Sequence, residues 1–72
     1  MKRVKWYWDL VKGKYYRDEN DRILKYVEPR NTELFEFIDE DAQRYNKETD
    51  EYAPCVETVY LTKIEVTHLR EI

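Results

Sequence analysis

A single cysteine and a single histidine leave this 72-residue chain with few means of stabilising a fold other than side-chain packing. Cys55 has no second cysteine in the molecule for a disulfide, and His68 alone cannot supply the four nitrogen or sulfur ligands of a zinc site. A chain this short buries only about 60% of the surface that its unfolded form exposes, so its core is small. The two Trp, seven Tyr and two Phe residues must therefore supply much of that core, or the chain must self-associate.

Alternating apolar residues near the start of the chain predict a β-strand. Every second position is apolar there: Val4, Trp6, Trp8 and Leu10. This period of two predicts a strand from Arg3 to Leu10, with at least one of the two Trp side chains buried.

The next segment predicts a β-hairpin followed by a third strand. Residues 14–17 and 22–27 flank Asp18-Glu19-Asn20-Asp21, whose residue types favour turns, so we expect a four-residue loop between two strands. The segment Pro29-Arg30-Asn31 ends the second strand. Residues 33–38 predict the third strand, with Phe35 and Phe37 on one face.

The second half of the chain predicts one long polar loop and a long β-branched strand. Residues 39–54 hold few apolar groups, so we expect a mobile loop or a short helix around residues 41–47. The apolar positions from Val56 to Val66 change parity, which predicts a bulge or turn near Thr62-Lys63. Residues 67–72 could form a short 3₁₀ turn and a last strand.

Five or so short strands, one polar loop and a terminal turn indicate a mostly β fold. We expect a small five-stranded barrel, SH3-like or OB-like, formed as a single domain over residues 1–72. The final stretch, Val66-Thr67-His68-Leu69-Arg70-Glu71-Ile72, is similar to the closing turn and strand of SH3-like barrels. The resemblance covers seven residues and implies a fold without implying a function.

The composition also predicts the compartment. One free cysteine suits a reducing environment. Asp9 and Lys12 interrupt the only apolar candidate for a signal peptide, and no apolar run reaches the ~20 residues of a membrane-spanning helix. We therefore expect a cytoplasmic protein.

The chain lacks the motifs that catalysis or a cofactor would need. With one glycine it has no P-loop, dinucleotide fingerprint or nucleophile elbow. The acidic residues from 39 to 50 are spaced like a calcium loop, but Arg44 and Asp50 stand where glycine and glutamate are required. A Cys55–His68 dyad would still need an oxyanion site. We therefore expect no enzymatic activity, no cofactor and no metal.

The charges are unevenly distributed, and this asymmetry bears on partners rather than on fold. Residues 1–17 carry six basic residues and one acidic residue, whereas residues 18–57 carry thirteen acidic and five basic residues. The formal net charge of the chain is −3.

The acidic middle predicts a non-catalytic module that binds a protein with a basic surface. Turn and loop positions project charge without disturbing a core, so the expected contact residues are Asp18, Glu19, Asp21, Asp39, Glu40 and Asp41. Nucleic-acid enzymes carry such basic surfaces. The small size, acidity and tyrosine content are similar to those of accessory proteins of phages and mobile elements, some of which inhibit host nucleic-acid enzymes.

The basic start of the chain supports an alternative, a single-stranded nucleic-acid-binding module. Aromatic faces stack on unpaired bases and cations follow the phosphates. The residues expected to do so are Lys2, Arg3, Lys5, Tyr7, Lys12, Lys14 and Arg17. The competing interpretation is that Trp6 and Trp8 are core residues. A third alternative is a structural homodimer whose strand edges pair.

Overall fold

The computed structural model describes residues 3–72, which form seven β-strands and one turn of α-helix. The strands are β1 (Tyr15–Arg17), β2 (Ile23–Pro29), β3 (Leu34–Asp39), β4 (Gln43–Asn46), β5 (Glu51–Pro54), β6 (Glu57–Thr62) and β7 (Arg70–Glu71). A 3₁₀ turn at Tyr7–Asp9 precedes β1, and the helix α1 (Lys63–Val66) separates β6 from β7. The predicted mostly β class is confirmed.

Five of the strands form one antiparallel sheet in the order β6-β3-β2-β1-β7. The strands β4 and β5 form a separate two-stranded hairpin inserted between β3 and β6. Within residues 3–72 no ladder joins β6 to β7, so the sheet is open rather than closed into a barrel.

An aromatic core covers one face of this sheet. Phe37 on β3 is fully buried; its ring meets Tyr16 edge-on, with centroids 6.4 Å apart, and packs on Tyr26 at 5.2 Å. The predicted shared face of Phe35 and Phe37 is confirmed, since both are buried in this cluster. The remaining buried apolar residues of the core are Val4, Leu24, Leu61, Val66 and Leu69.

The predicted hairpin of residues 14–27 is confirmed, but five residues (18–22) separate its strands instead of the expected four. Asp18 stabilises its turn. The Asp18 side chain is 8% exposed and accepts hydrogen bonds from the backbone N–H groups of Asn20 (2.9 Å) and Arg22 (2.8 Å). Its second oxygen accepts from Arg22 Nε at 2.8 Å. Asp21 adopts the left-handed conformation that this turn needs, with a φ of 62°.

The predicted strand from Arg3 to Leu10 is wrong. Only Arg3 bridges to β7, opposite Arg70, and the chain then turns through the 3₁₀ segment. Trp6 and Trp8 are 54% and 64% exposed, so the expectation that one of them is buried is also wrong. The physical reason is the length of β7, because a two-residue strand offers no ladder for an eight-residue neighbour.

The predicted irregular loop or short helix over residues 39–54 is wrong as well, because this segment forms the hairpin of β4 and β5. The expected mobility of the segment stays a prediction. We call this hairpin the arm. Tyr45 and Tyr52 lie opposite each other across it, with ring centroids 5.2 Å apart, and Asp50 takes a positive φ in its turn. Every residue of β4 and β5 is exposed, so the arm shows no alternation of apolar and polar residues.

The predicted turn near Thr62-Lys63 is confirmed as the start of α1. Thr62 and Glu65 form a capping box, in which each side chain accepts a hydrogen bond from the other's backbone N–H. The helix inserts Val66, which is fully buried, into the core. A last strand follows as predicted, at Arg70–Glu71.

We predict that Phe37→Ala lowers the free energy of unfolding by about 3–5 kcal/mol, because it empties the centre of a small core. Urea denaturation followed by far-UV circular dichroism measures this loss. The control Tyr52→Ala removes a ring that is 68% exposed on the arm and should change stability far less. Equal losses in the two variants would contradict this assignment of the core.

We also predict that Asp18→Ala destabilises the chain by about 1–3 kcal/mol, because it removes the carboxylate that accepts two backbone N–H groups of the turn and pairs with Arg22. Asp41→Ala is the matched control, since it removes the same charge from an exposed position. Thermal unfolding of both variants makes the comparison. A turn role for Asp18 is refuted if the two melting temperatures fall together.

Candidate binding groove

A groove of about 370 Å³ opens between the N-terminal segment, the β2–β3 turn and the start of α1. Most of its lining is apolar or aromatic, and the cations among it are lysines. The lining residues are Tyr7, Trp8, Leu10, Lys12, Tyr26, Pro29, Asn31, Thr32, Phe35 and Lys63. We call this site the aromatic groove.

Backbone contacts at both ends hold the N-terminal segment in place over the core. Val4 is buried and its N–H donates to the carbonyl of Leu69 at 3.0 Å. Further along, the N–H of Val11 donates to the buried Tyr16 hydroxyl at 2.9 Å. Gly13, with a φ of +83°, turns the chain into β1 and donates to the carbonyl of Tyr26 at 2.8 Å. The segment is therefore tied to the sheet on both sides of the 3₁₀ turn.

The 3₁₀ turn directs one ring inward and two outward. Tyr7 packs on the buried Phe35, with centroids 5.2 Å apart. Trp8 meets Tyr7 edge-on at 5.1 Å, and Trp6 stacks almost parallel on Trp8 at 5.1 Å with an interplanar angle of 17°. The rings form a continuous series from the core to the solvent, and both Trp rings keep more than half of their surface exposed.

Two lysines give the aromatic groove a positive charge. Lys63 Nζ lies 5.0 Å from the centroid of the Tyr7 ring, and Lys12 also lines the groove. Neither lysine forms an ion pair within residues 3–72, and none of the lining residues there is acidic. Burial raises the pKa of Tyr26, so its hydroxyl stays protonated and adds no negative charge.

The rim also offers a hydrogen-bond donor. Asn31 accepts the backbone N–H groups of Glu33 (2.8 Å) and Leu34 (2.9 Å) through Oδ1. Its Nδ2 group makes no hydrogen bond to the part of the chain described here. The groove thus combines flat apolar surface, two cations and one amide donor.

A second cavity, of about 400 Å³, lies on the other side of the N-terminal segment. Basic and acidic groups both line it: Arg3, Lys5, Asp9 and Glu71, with the backbone of Val4 between them. The opposite charges offset one another, so this cavity has no clear preference for a charged ligand.

The residues predicted to bind nucleic acid are only partly brought together. Tyr7 and Lys12 line the aromatic groove, and Lys5 is exposed beside it in the second cavity. The other three described residues serve the fold: Arg3 donates to Thr67 O, Lys14 pairs with Glu71, and Arg17 pairs with Asp21. Lys2 lies outside the described residues. Sequence reasoning missed Lys63 and Phe35, which reach the groove from the far end of the chain and from β3.

The six acidic residues predicted to bind a partner lie at one end of the sheet, where the β1–β2 turn and the end of β3 meet. Asp18 and Asp39 are 8% and 7% exposed; Asp39 accepts the N–H of Asp41 at 3.1 Å.

Three of the others also make internal contacts. Glu19 lies 3.0 Å from His68 Nδ1, and Asp21 lies 3.4 Å from Arg70. Glu40 accepts a hydrogen bond from the Tyr15 hydroxyl at 2.6 Å, which raises the pKa of Tyr15. Asp41 is exposed, with its carboxylate free of ion pairs among the described residues.

Residues 3–72 contain neither a cluster of metal-ligating side chains nor a membrane-spanning helix. No three or more His, Cys, Asp or Glu side chains lie together in a way that could hold a metal ion. No helix in this part of the chain has the length and apolar character needed to cross a bilayer.

Comparisons of the chain with protein-family models, with curated proteins and with solved structures found no match.

Proposed function

We propose that this protein is a non-catalytic binding module whose aromatic groove takes single-stranded nucleic acid. The observation that carries this proposal is the make-up of the groove within residues 3–72. The exposed Trp8 ring, on which Trp6 stacks from outside the lining, lies beside two lysines without ion pairs, and none of those lining residues is acidic. This combination stands out in a chain whose net charge is −3.

Each part of the groove has a role in such binding. The exposed Trp6 and Trp8 rings offer flat faces for unpaired bases, and stacking on one aromatic ring contributes about 1–3 kcal/mol per base. Lys12 and Lys63 lie where they can contact the backbone phosphates. Asn31 Nδ2 can donate to a base edge. None of these contacts distinguishes one base strongly from another, so we expect weak sequence preference.

The acidic remainder of the chain supports single strands over duplexes. Thirteen acidic residues between positions 18 and 57 repel a large phosphate surface, whereas a strand lying in the groove meets mainly lysines and rings. Binding through two phosphate contacts should also be modestly salt-dependent, with log K falling by about 1.4 per tenfold rise in salt.

We predict that Trp8→Ala weakens binding to a fluorescently labelled oligothymidine about 5- to 150-fold, because one stacking face is lost. Fluorescence anisotropy titration measures the change, and circular dichroism checks that the variant is folded. Tyr52→Ala is the control, since it removes an equally exposed ring from the arm. The groove is not the binding site if both variants bind as the native chain does, or if both lose affinity alike.

The same titration at several salt concentrations tests the lysines. Lys12→Gln should reduce the slope of log K against log salt by about 0.7, the value for one phosphate contact. Lys47→Gln, a neutralisation on the arm, should leave the slope unchanged. If Lys12→Gln and Lys47→Gln change the slope equally, binding depends on the net charge of the chain and not on the groove.

A second candidate function is the binding of a basic protein surface by the acidic end of the sheet. What supports it is the exposure of Glu19, Glu40 and Asp41 at that one end. Asp18 and Asp39 would support this surface from within rather than contact the partner.

We predict that the double change Glu40→Lys and Asp41→Lys leaves the fold intact, because both positions are exposed. If the acidic end binds a protein, this variant captures less of that protein from a nuclease-treated lysate than the native chain does. The control variant, Glu33→Lys with Glu48→Lys, captures the native amount. If the groove binds nucleic acid, the first variant binds oligothymidine at least as tightly as the native chain. If the Glu40→Lys, Asp41→Lys variant captures the same amount of every protein as the native chain, the acidic end is not a protein-binding surface.

We further propose that the open sheet is related to SH3-like rather than OB-like barrels. Three features support this: the meander of β1, β2, β3 and β6, the single helical turn α1 after it, and the return of β7 to the edge of β1. The arm would then be an extension of the loop between the third and fourth strands of that architecture.

A further inference from the structure

Among the described residues, the outer backbone edge of β6 has no strand partner. The strand pairs with β3 over all six of its residues, Glu57–Thr62, and it is the last strand on that side. Within residues 3–72, no backbone–backbone hydrogen bond outside the β3 ladder involves residues 57–61. The outward N–H and C=O groups of this edge are therefore free to pair with another strand.

The other strand edges of residues 3–72 carry the features that prevent such pairing. At the opposite side of the sheet, β7 is two residues long, bears Arg70 and Glu71, and is partly covered by Arg3. The arm carries several charges and ends in Pro54. By contrast, β6 has one charged residue, Glu57, at its first position, and no lysine or proline. Natural edge strands that must stay unpaired are normally protected.

The sequence around β6 is close to a palindrome in its chemical properties. The central part of the strand reads Thr58-Val59-Tyr60-Leu61-Thr62. Outward from Tyr60, the residues on the two sides match as apolar with apolar and threonine with threonine. Such a sequence is complementary to a second copy of itself running in the opposite direction.

The sheet geometry selects one register for this self-pairing. In an antiparallel pair centred on Tyr60, Val59 lies opposite Leu61 of the second copy, and Thr58 lies opposite Thr62. A centre at Val59 would place Glu57 opposite Leu61, a charge against a core residue.

Other registers are worse. A centre at Leu61 would pair only residues 60–62 of each copy, because β6 ends at Thr62. A centre between two residues would set the buried face of one copy beside the exposed face of the other. Pairing about Tyr60 is therefore the register in which faces and polarity agree.

We propose that β6 is a self-association edge, through which two copies of this chain pair antiparallel about a two-fold axis at Tyr60. The two five-stranded sheets then form one ten-stranded sheet with both cores on the same side. Val59, half-buried in the single chain, is covered further.

This proposal does not depend on what the aromatic groove binds. An interface of one strand pair is small, so the association is weak and depends on concentration. The two-fold symmetry makes it closed, and association stops at the dimer.

The first experiment measures mass by sedimentation velocity from about 10 µM to about 1 mM, a range that covers weak association. The native chain should shift from one to two chain masses. Tyr60→Lys should stay monomeric throughout, because it places two like charges opposite each other on the axis. Tyr52→Lys makes the same chemical change on the arm and should dimerise normally; equal behaviour of the two variants would overturn the proposal.

The second experiment tests the register by crosslinking in a Cys55→Ser background. Tyr60→Cys faces its own copy across the axis, at a Cβ distance of about 5 Å, and should form a disulfide-linked dimer on oxidation. Thr58→Cys lies four residues from its own copy, about 13 Å away, and should not. A mixture of Thr58→Cys and Thr62→Cys should crosslink between unlike chains. A native chain that stays monomeric at 1 mM, or equal crosslinking at positions 58 and 60, would sink the proposal.

Discussion

The contact of Phe37 with Tyr16 and Tyr26 is the interaction on which the rest of this structure depends. Phe37 stands on the central strand β3, and its two neighbours stand on β1 and β2, so three rings join three strands. Tyr16 also extends this support outward, because its buried hydroxyl accepts the N–H of Val11. The same ring therefore stabilises the sheet and positions the segment that carries the aromatic groove. Residues 3–72 contain no disulfide and no metal site. The stability of this fold therefore depends mainly on one aromatic cluster.

Where a segment buries one face, its sequence pattern predicted its structure well. The β1–β2 hairpin, β3 and the turn into α1 follow directly from apolar alternation and from the turn residues Asp18 to Asp21. The arm could not be predicted in this way. Both of its faces are exposed, so its sequence shows no alternation of apolar and polar residues. Its one signal is the pair Tyr45 and Tyr52, and cross-strand pairs of that kind cannot be recognised before the register is known.

In the N-terminal segment the prediction failed for the opposite reason. Apolar and polar residues alternate there, but the segment does not form a strand. Val4 is buried and Leu10 is partly buried, as the pattern predicts, but Trp6 and Trp8 between them are exposed. A strand needs a ladder as well as a buried face, and the two residues of β7 cannot supply one. The same limit applies to the sites: Tyr7 and Lys12 could be chosen from local sequence, whereas Lys63 joins them only through tertiary folding. Likewise, nothing local distinguishes the buried Asp18 from the exposed Asp41.

The exposed position of the two tryptophans determines what their fluorescence measures in this protein. Both indole rings stand outside the core, stacked on one another at the mouth of the groove, and the core contains tyrosine and phenylalanine instead. The tryptophan emission of this chain, excited selectively over that of tyrosine, is therefore a signal from one surface patch. It will respond to a ligand or a quencher at that patch while the sheet is intact, and it will register global unfolding only indirectly. Intrinsic fluorescence, the usual optical measure of folding, becomes in this protein a local probe of occupancy.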